Sequence, residues 1–114
     1  HVNILIVTNH GLATSSNPAS IAAMRPDIAV IGNSARKGDV PATFNLINKS
    51  PGLKGFWKLH ASADDPALTG DADFIANMEP SPDQGHAISL DIARDGRVTV
   101  TNGRNGFSKS YLVQ

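Results

Sequence analysis

Cysteine is absent from this chain, which removes thiolate catalysis, disulfides and Cys-type zinc sites together. That absence fits an extracellular or a cytosolic home equally. Glutamate is nearly missing too: Glu79 stands alone, so carboxylate chemistry falls to aspartates. No apolar run approaches the ~20 residues that span a bilayer, and no basic stretch leading into an apolar one opens the sequence like a signal peptide. Nor does charge of one sign dominate, since ten Lys and Arg balance ten Asp and Glu. The balance is uneven along the chain. Residues 1–58 carry six basic residues against Asp27 and Asp39, a net +4, and residues 59–114 carry four against eight acids, a net −4. Tight, sequence-indifferent nucleic-acid binding needs a large basic face, which this layout does not suggest.

What is present describes one α/β domain, because 114 residues support one real core and not two. Ile4-Leu5-Ile6-Val7 is an unbroken branched run that reads as an interior strand covered on both faces. It turns polar at Thr8-Asn9-His10, and Gly11 allows a sharp bend. Ser15-Ser16-Asn17-Pro18 supplies a capping oxygen and a proline at the first helical position, predicting a helix to Met24 that stops before Pro26. Asp27 to Gly32 is a second buried strand. Pro41 opens a second helix, with Phe44 and Ile47 three apart on one face, and Ser50-Pro51-Gly52 ends it. Gly55 to Ala61 is a third strand.

This β-α-β-α-β order calls for a mainly parallel sheet with packed helices. Residues 62–85 are rich in Asp, Pro, Gly and Ser and read as a long loop with a short apolar island at Phe74-Ile75-Ala76. From His86 the period becomes two: Ile88, Leu90 and Ile92 point one way. Asp95-Gly96 signals a two-residue hairpin connection to Val98 and Val100, and a last strand falls around Tyr111-Leu112-Val113. A sheet this thin leaves an interior first strand short of neighbours. The expectation is therefore that residue 1 is not the natural start of the folding unit.

The stretch Val7 to Pro18 resembles a segment of metallo-β-lactamase-fold hydrolases, in the branch typified by the C-terminal domain of the DNA-uptake competence protein ComEC. That branch has a strand ending in His-His-Gly-Ser, a Ser-Ser pair, a Pro-started helix and an Arg-Pro, here Arg25-Pro26, before the next strand. Gly32 to Gly38, Ser50-Pro51-Gly52-Leu53, Trp57-Lys58-Leu59-His60 and the closing Thr101-Asn102-Gly103-Arg104-Asn105 are similar to secreted, stand-alone bacterial members. The likeness covers nearly the whole chain but only the second half of such a domain.

The resemblance implies the second half of a four-layer αβ/βα sandwich: parallel β-α-β-α-β, then an antiparallel hairpin. It implies one or two divalent ions, zinc foremost, and hydrolysis of a phosphodiester or other ester-like small-molecule bond by metal-activated water. The partner it implies is an N-terminal half carrying the main ligand cluster and the bridging aspartate, and it favours an extracytoplasmic place. His10 falls on the late histidine ligand. Asn9 stands where the branch has its first histidine and Leu12 where it has serine. Asp39, within Gly38-Asp39-Val40-Pro41, falls where a Gly-His-Pro is usual, so Asn9 and Asp39 are the pocket-lining candidates. Thr69-Gly70-Asp71 matches the bridging motif only by chance, since it lies downstream of His10.

Each candidate also has a plainer role. His10 could cap a strand end without a ligand, and Asp39 could complement a helix dipole. Arg36-Lys37 could hold a phosphate or simply be a solvated loop. His60 reads as a strand-end histidine and His86 as a sheet-margin one. Asp64-Asp65 and Asp71-x-Asp73 lack calcium-loop spacing, and Asn102 to Gly106 reads as turn chemistry. The alternative to a hydrolase is a metal-free binding or scaffold domain that kept the fold and lost its ligands.

Overall fold

The computed structural model describes residues 1–14, 17–65, 67, 70–79 and 85–113. The expectation that Ser15 or Ser16 caps a helix lies outside these residues, as does Thr69. Four strands, β1 (Ile4–Val7), β2 (Ile28–Ile31), β3 (Gly55–His60) and β4 (Ile75–Asn77), form one parallel sheet in the order β1-β2-β3-β4. Three more, β5 (Ile88–Ile92), β6 (Arg97–Asn102) and β7 (Ser108–Leu112), form a separate antiparallel sheet. Two helices, α1 (Pro18–Met24) and α2 (Pro41–Asn48), connect the first three strands. Asn17 caps α1, accepting from the Ala19 amide at 2.8 Å.

Each parallel connection steps to the next strand in the same direction, so crossovers of one hand place both helices on one face. Alternation along β2 then decides the packing. Ala29 and Ile31 point to the helices and join Val7, Ile21 and Ile47 in one core. Ile28 points the other way, into a second core with Trp57, Val98, Val100 and Tyr111 from β3 and the antiparallel sheet. The result is three layers: helices, parallel sheet, antiparallel sheet. No helix among the described residues is long and apolar enough to cross a membrane.

Three expectations change. β1 is not interior: it is an edge strand, and the doubly covered strand is β2. Of its four residues only Val7 is buried, and Ile6 is 59 % exposed. Residues 62–85 are not loop throughout, because the apolar island forms β4, which pairs with β3 through Lys58↔Ile75 and His60↔Asn77. The hairpin turn is longer than two residues. Ala93 donates to the Arg97 carbonyl around Arg94-Asp95-Gly96, with Gly96 at φ +86°, the left-handed closing position of a three-residue hairpin.

The β4 rim is secured from the other sheet. The buried Asn102 amide donates to the Asp73 and Ile75 carbonyls, both at 2.9 Å, and Arg104 donates to Ala72 and Ile75. The Asn-Gly-Arg-Asn run is thus a clasp between the sheets as well as a turn.

Candidate functional site

Four parallel strands present their carboxyl ends along one rim, where open α/β sheets gather ligands. Here each end is followed by an imidazole or an amide: His10 beyond β1, Asn33 beyond β2, His60 closing β3 and Asn77 closing β4. Asn33 donates to the His60 carbonyl at 2.8 Å and accepts its amide at 3.0 Å. Asn77 treats His86 in the same way, donating to its carbonyl and accepting its amide at 2.9 Å. These two buried amides therefore prolong the sheet with side chains. His60 and His86 are held through their backbones, as strand-end and sheet-margin residues would be.

His10 is built differently. The chain leaves β1 through a short 3-10 turn, Thr8–Gly11, in which Asn9, His10 and Gly11 all lie in the left-handed region (φ +46°, +58° and +74°). A run of left-handed residues is costly for any side chain but glycine, and such strain collects at functional turns. Tertiary bonds hold the turn in place. The Asp39 amide donates to the His10 carbonyl at 2.8 Å, the Val40 amide to Gly11 at 3.3 Å, and Thr43 Oγ1 to Leu12 at 3.4 Å. A side chain on Gly38 would overlap the His10 carbonyl, which is why only glycine fits there.

The His10 ring is exposed, and its Nδ1 lies 2.7 Å from the Gly32 carbonyl oxygen. A carbonyl can only accept, so Nδ1 carries a proton, and in the neutral ring Nε2 is the nitrogen that keeps its lone pair. That is the orientation in which histidines meet a metal, with the second nitrogen tied to a backbone carbonyl. Asn9 is exposed on the same turn, its carbonyl accepting from the Leu12 amide at 3.2 Å.

Asp39 sits close by in the backbone and is among the residues lining a cleft beside the His10 turn, with its carboxylate buried. It is fully buried, and Oδ2 meets Lys58 Nζ at 2.5 Å. The Lys58 ammonium also lies 4.1 Å from the centre of the Phe44 ring. Burial raises the Asp39 carboxyl above its ordinary value and lowers the Lys58 amine, while the bond between them opposes both shifts. Asp39 Oδ1 is buried without a hydrogen-bond partner. Its charge is answered by Lys58.

The remaining candidates serve turns and surface pairs. Arg36 pairs with Asp64 at 3.1 Å with both side chains well exposed, an arrangement worth about 0–1 kcal/mol. Asp65 and Asp71 accept backbone amides of Ala67 and Asp73, and Asp73 accepts from the Asn105 amide. The cleft beside the His10 turn, of about 280 Å³, is lined by Asp39 together with Arg36, Lys37, Pro41, Ser62 and Asp64. Among the described residues, no three His, Asp or Glu side chains converge as a metal ion requires.

Sequence reasoning missed Lys58, Asn33 and Asn77. The available signal was a lysine inside an otherwise apolar strand, which an interior tolerates only with an acidic partner.

His60 adds a pH dependence. Its Nδ1 is buried without a partner, and burial lowers the ring's pKa from 6.5. The folded protein then holds this proton less tightly than the unfolded chain. The contribution is complete above the unfolded value and is lost as pH falls toward the depressed folded one. Denaturation at about pH 7.5 and about pH 5.5 should show a loss of stability at the lower pH that is smaller in His60→Asn.

No family model matches the chain, and neither a curated protein nor a solved structure matches it.

Proposed function

We propose that this domain is part of a metal-dependent hydrolase of the metallo-β-lactamase type, with His10 as one metal ligand. The observation that carries the reading is the His10 ring, whose Nδ1 is fixed on the Gly32 carbonyl and which is exposed beyond the carboxyl end of β1. One imidazole does not hold a catalytic zinc, which takes about three protein donors and a water. The residues of this chain alone do not fit the ion, and the other donors belong to an N-terminal half of the same domain. The four-stranded parallel sheet, with helices on one face and a second sheet on the other, is compatible with half of an αβ/βα sandwich. When bound, zinc would supply Lewis-acid polarisation and a water of lowered pKa for attack on a phosphodiester or similar ester. The role of this chain's residues is to hold His10: the Asp39 and Val40 amides fix its turn, and the Asp39–Lys58 pair anchors those amides.

The test is the metal content of a protein joining this chain to its N-terminal half. One or two zinc ions per molecule are expected, with affinity reduced by about 10-fold or more in His10→Ala. A metal-free protein would contradict the reading. It would favour the second one, a binding or scaffold domain, to which the enclosure of Asp39 by Lys58 already lends weight. That domain melts at the same temperature with and without chelator and leaves generic phosphodiesters intact.

A further inference from the structure

The cleft beside the His10 turn contains an acceptor with nothing to accept. Asp39 lines it and is wholly buried, with Oδ2 on the Lys58 ammonium and Oδ1 buried without a hydrogen-bond partner. A buried carboxylate oxygen in that state lacks a donor that the described residues do not supply. Asp39 also stands in the left-handed region, at φ +48°, beside Gly38 at φ +90°. Backbone of this kind persists at binding turns where its surroundings enforce it. Here the His10 carbonyl does so by accepting the Asp39 amide.

The rest of the cleft favours an anion. Lys37 is exposed at its margin. Arg36 is tied to Asp64 by a pair whose two side chains are both well exposed, which opens at little cost. The eight-residue α2 begins here through Val40 and Pro41, with no side-chain cap and no acid in its first turn, so its leading amides and dipole suit negative charge. The acids nearby are engaged: Asp39 by Lys58, Asp64 by Arg36, and Asp65 by the Ala67 amide. A negative charge and a donated hydrogen are supplied together by an anion that keeps a proton. Carboxylates and sulfates have lost theirs near neutral pH, whereas a phosphomonoester, with a second pKa of about 6, has not lost all of it.

We propose that this cleft binds a phosphomonoester in its singly protonated form, the P–OH donating to Asp39 Oδ1 and the anionic oxygens facing Lys37, Arg36 and the start of α2. For the source of that ligand the proposal rests on the hydrolase reading, because water attacking a phosphodiester yields an alcohol and a phosphomonoester. The contacts themselves use neither His10 nor a metal. The two sites adjoin: Gly38, in the cleft wall, lies so close to the His10 carbonyl that a side chain there would overlap it.

Titration of the intact, chelator-treated protein with methyl phosphate, methyl sulfate and dimethyl phosphate tests the proposal. At about pH 6 roughly half of the monoester keeps its proton, and of the three anions only methyl phosphate has a P–OH. It should bind at least about tenfold more tightly than the other two, with amide shifts in NMR centred on Gly38, Asp39 and Ser62. Lys37→Ala, at an exposed position, should weaken it about threefold and leave melting unchanged. Asp39→Asn keeps an oxygen for Lys58 and turns an NH2 toward the cleft, so it should erase the preference and admit methyl sulfate. If that variant does not fold, the selectivity of the parent decides alone. Equal affinities for the three anions overturn the proposal, as do no binding of methyl phosphate, shifts confined to residues outside the cleft, or a preference that survives Asp39→Asn. Because metal is removed, the result is separate from the zinc test. A protein that takes zinc but ignores methyl phosphate loses only this site, and one that binds methyl phosphate but never holds zinc loses only the hydrolase.

Discussion

Asp39→Ala should lower the stability of the domain by about 3–5 kcal/mol, because it strands a buried ammonium. Lys58 is 3 % exposed and lies under Phe44 and Phe56, and its carboxylate partner is fully buried. The single substitution removes the charge that offsets Lys58's desolvation. The double variant Asp39→Ala, Lys58→Met should recover most of the loss, since an apolar side chain of similar length suits the two rings and leaves no charge behind. Urea denaturation of the parent, both single variants and the double variant gives the coupling directly. Additive losses in the double variant would show that the two groups do not act as a pair. The same cycle bears on function. The Asp39 amide donates to the His10 carbonyl, so the double variant reports whether the turn keeps its shape once the ion pair is gone.

Trp57→Ala should cost a similar amount, about 3–5 kcal/mol, through a cavity rather than a charge. Trp57 is wholly buried between the two sheets, its Nε1 donates to the Tyr111 hydroxyl at 3.1 Å, and its ring lies 4.6 Å from Phe74 and 5.8 Å from Phe107. Truncation leaves that hydroxyl without its indole partner and opens the seam that joins β3 to β6 and β7. Ile92→Ser, at an exposed position of the antiparallel sheet, should change stability by no more than about 0.5 kcal/mol. Comparable losses at the two positions would mean that the inter-sheet seam is not where the second core draws its strength.

The helices and the covered strand were legible in the sequence because local chemistry marks them. Asn17-Pro18 and Pro41 fix where α1 and α2 begin, and the Pro26 and Pro51 neighbourhoods fix where they end. Ile28 to Ile31 reads as buried on both faces and is so. β1 carries an equally apolar run, but apolarity records what a strand is suited to contact, not whether the neighbour is present. Ile6 is therefore as hydrophobic as Ile28 while standing at an edge. β4 was hidden for a different reason: three residues are too few for a period, and its place depends on Asn102 and Arg104, nearly thirty residues later.

The candidate site divides along the same line. Gly11 announced a bend and His10 a group at the rim, both local properties. That Nδ1 finds the Gly32 carbonyl and that Asp39 is locked to Lys58 are consequences of the crossovers, which no local pattern contains. Asn33 and Asn77 were invisible as structural amides because Gly-Asn-Ser and Ile-Ala-Asn look like ordinary strand ends. Their work is done on strands distant in sequence.

Nitrogen-15 NMR of the His10 ring in the protein that joins this chain to its N-terminal half, recorded where the imidazole is neutral and repeated with added zinc, tests the account most directly. The expected result is a proton on Nδ1, a bare Nε2, and a zinc-dependent shift that is largest at Nε2. A ring protonated on Nε2, or one whose Nε2 resonance ignores zinc while other sites respond, would contradict it.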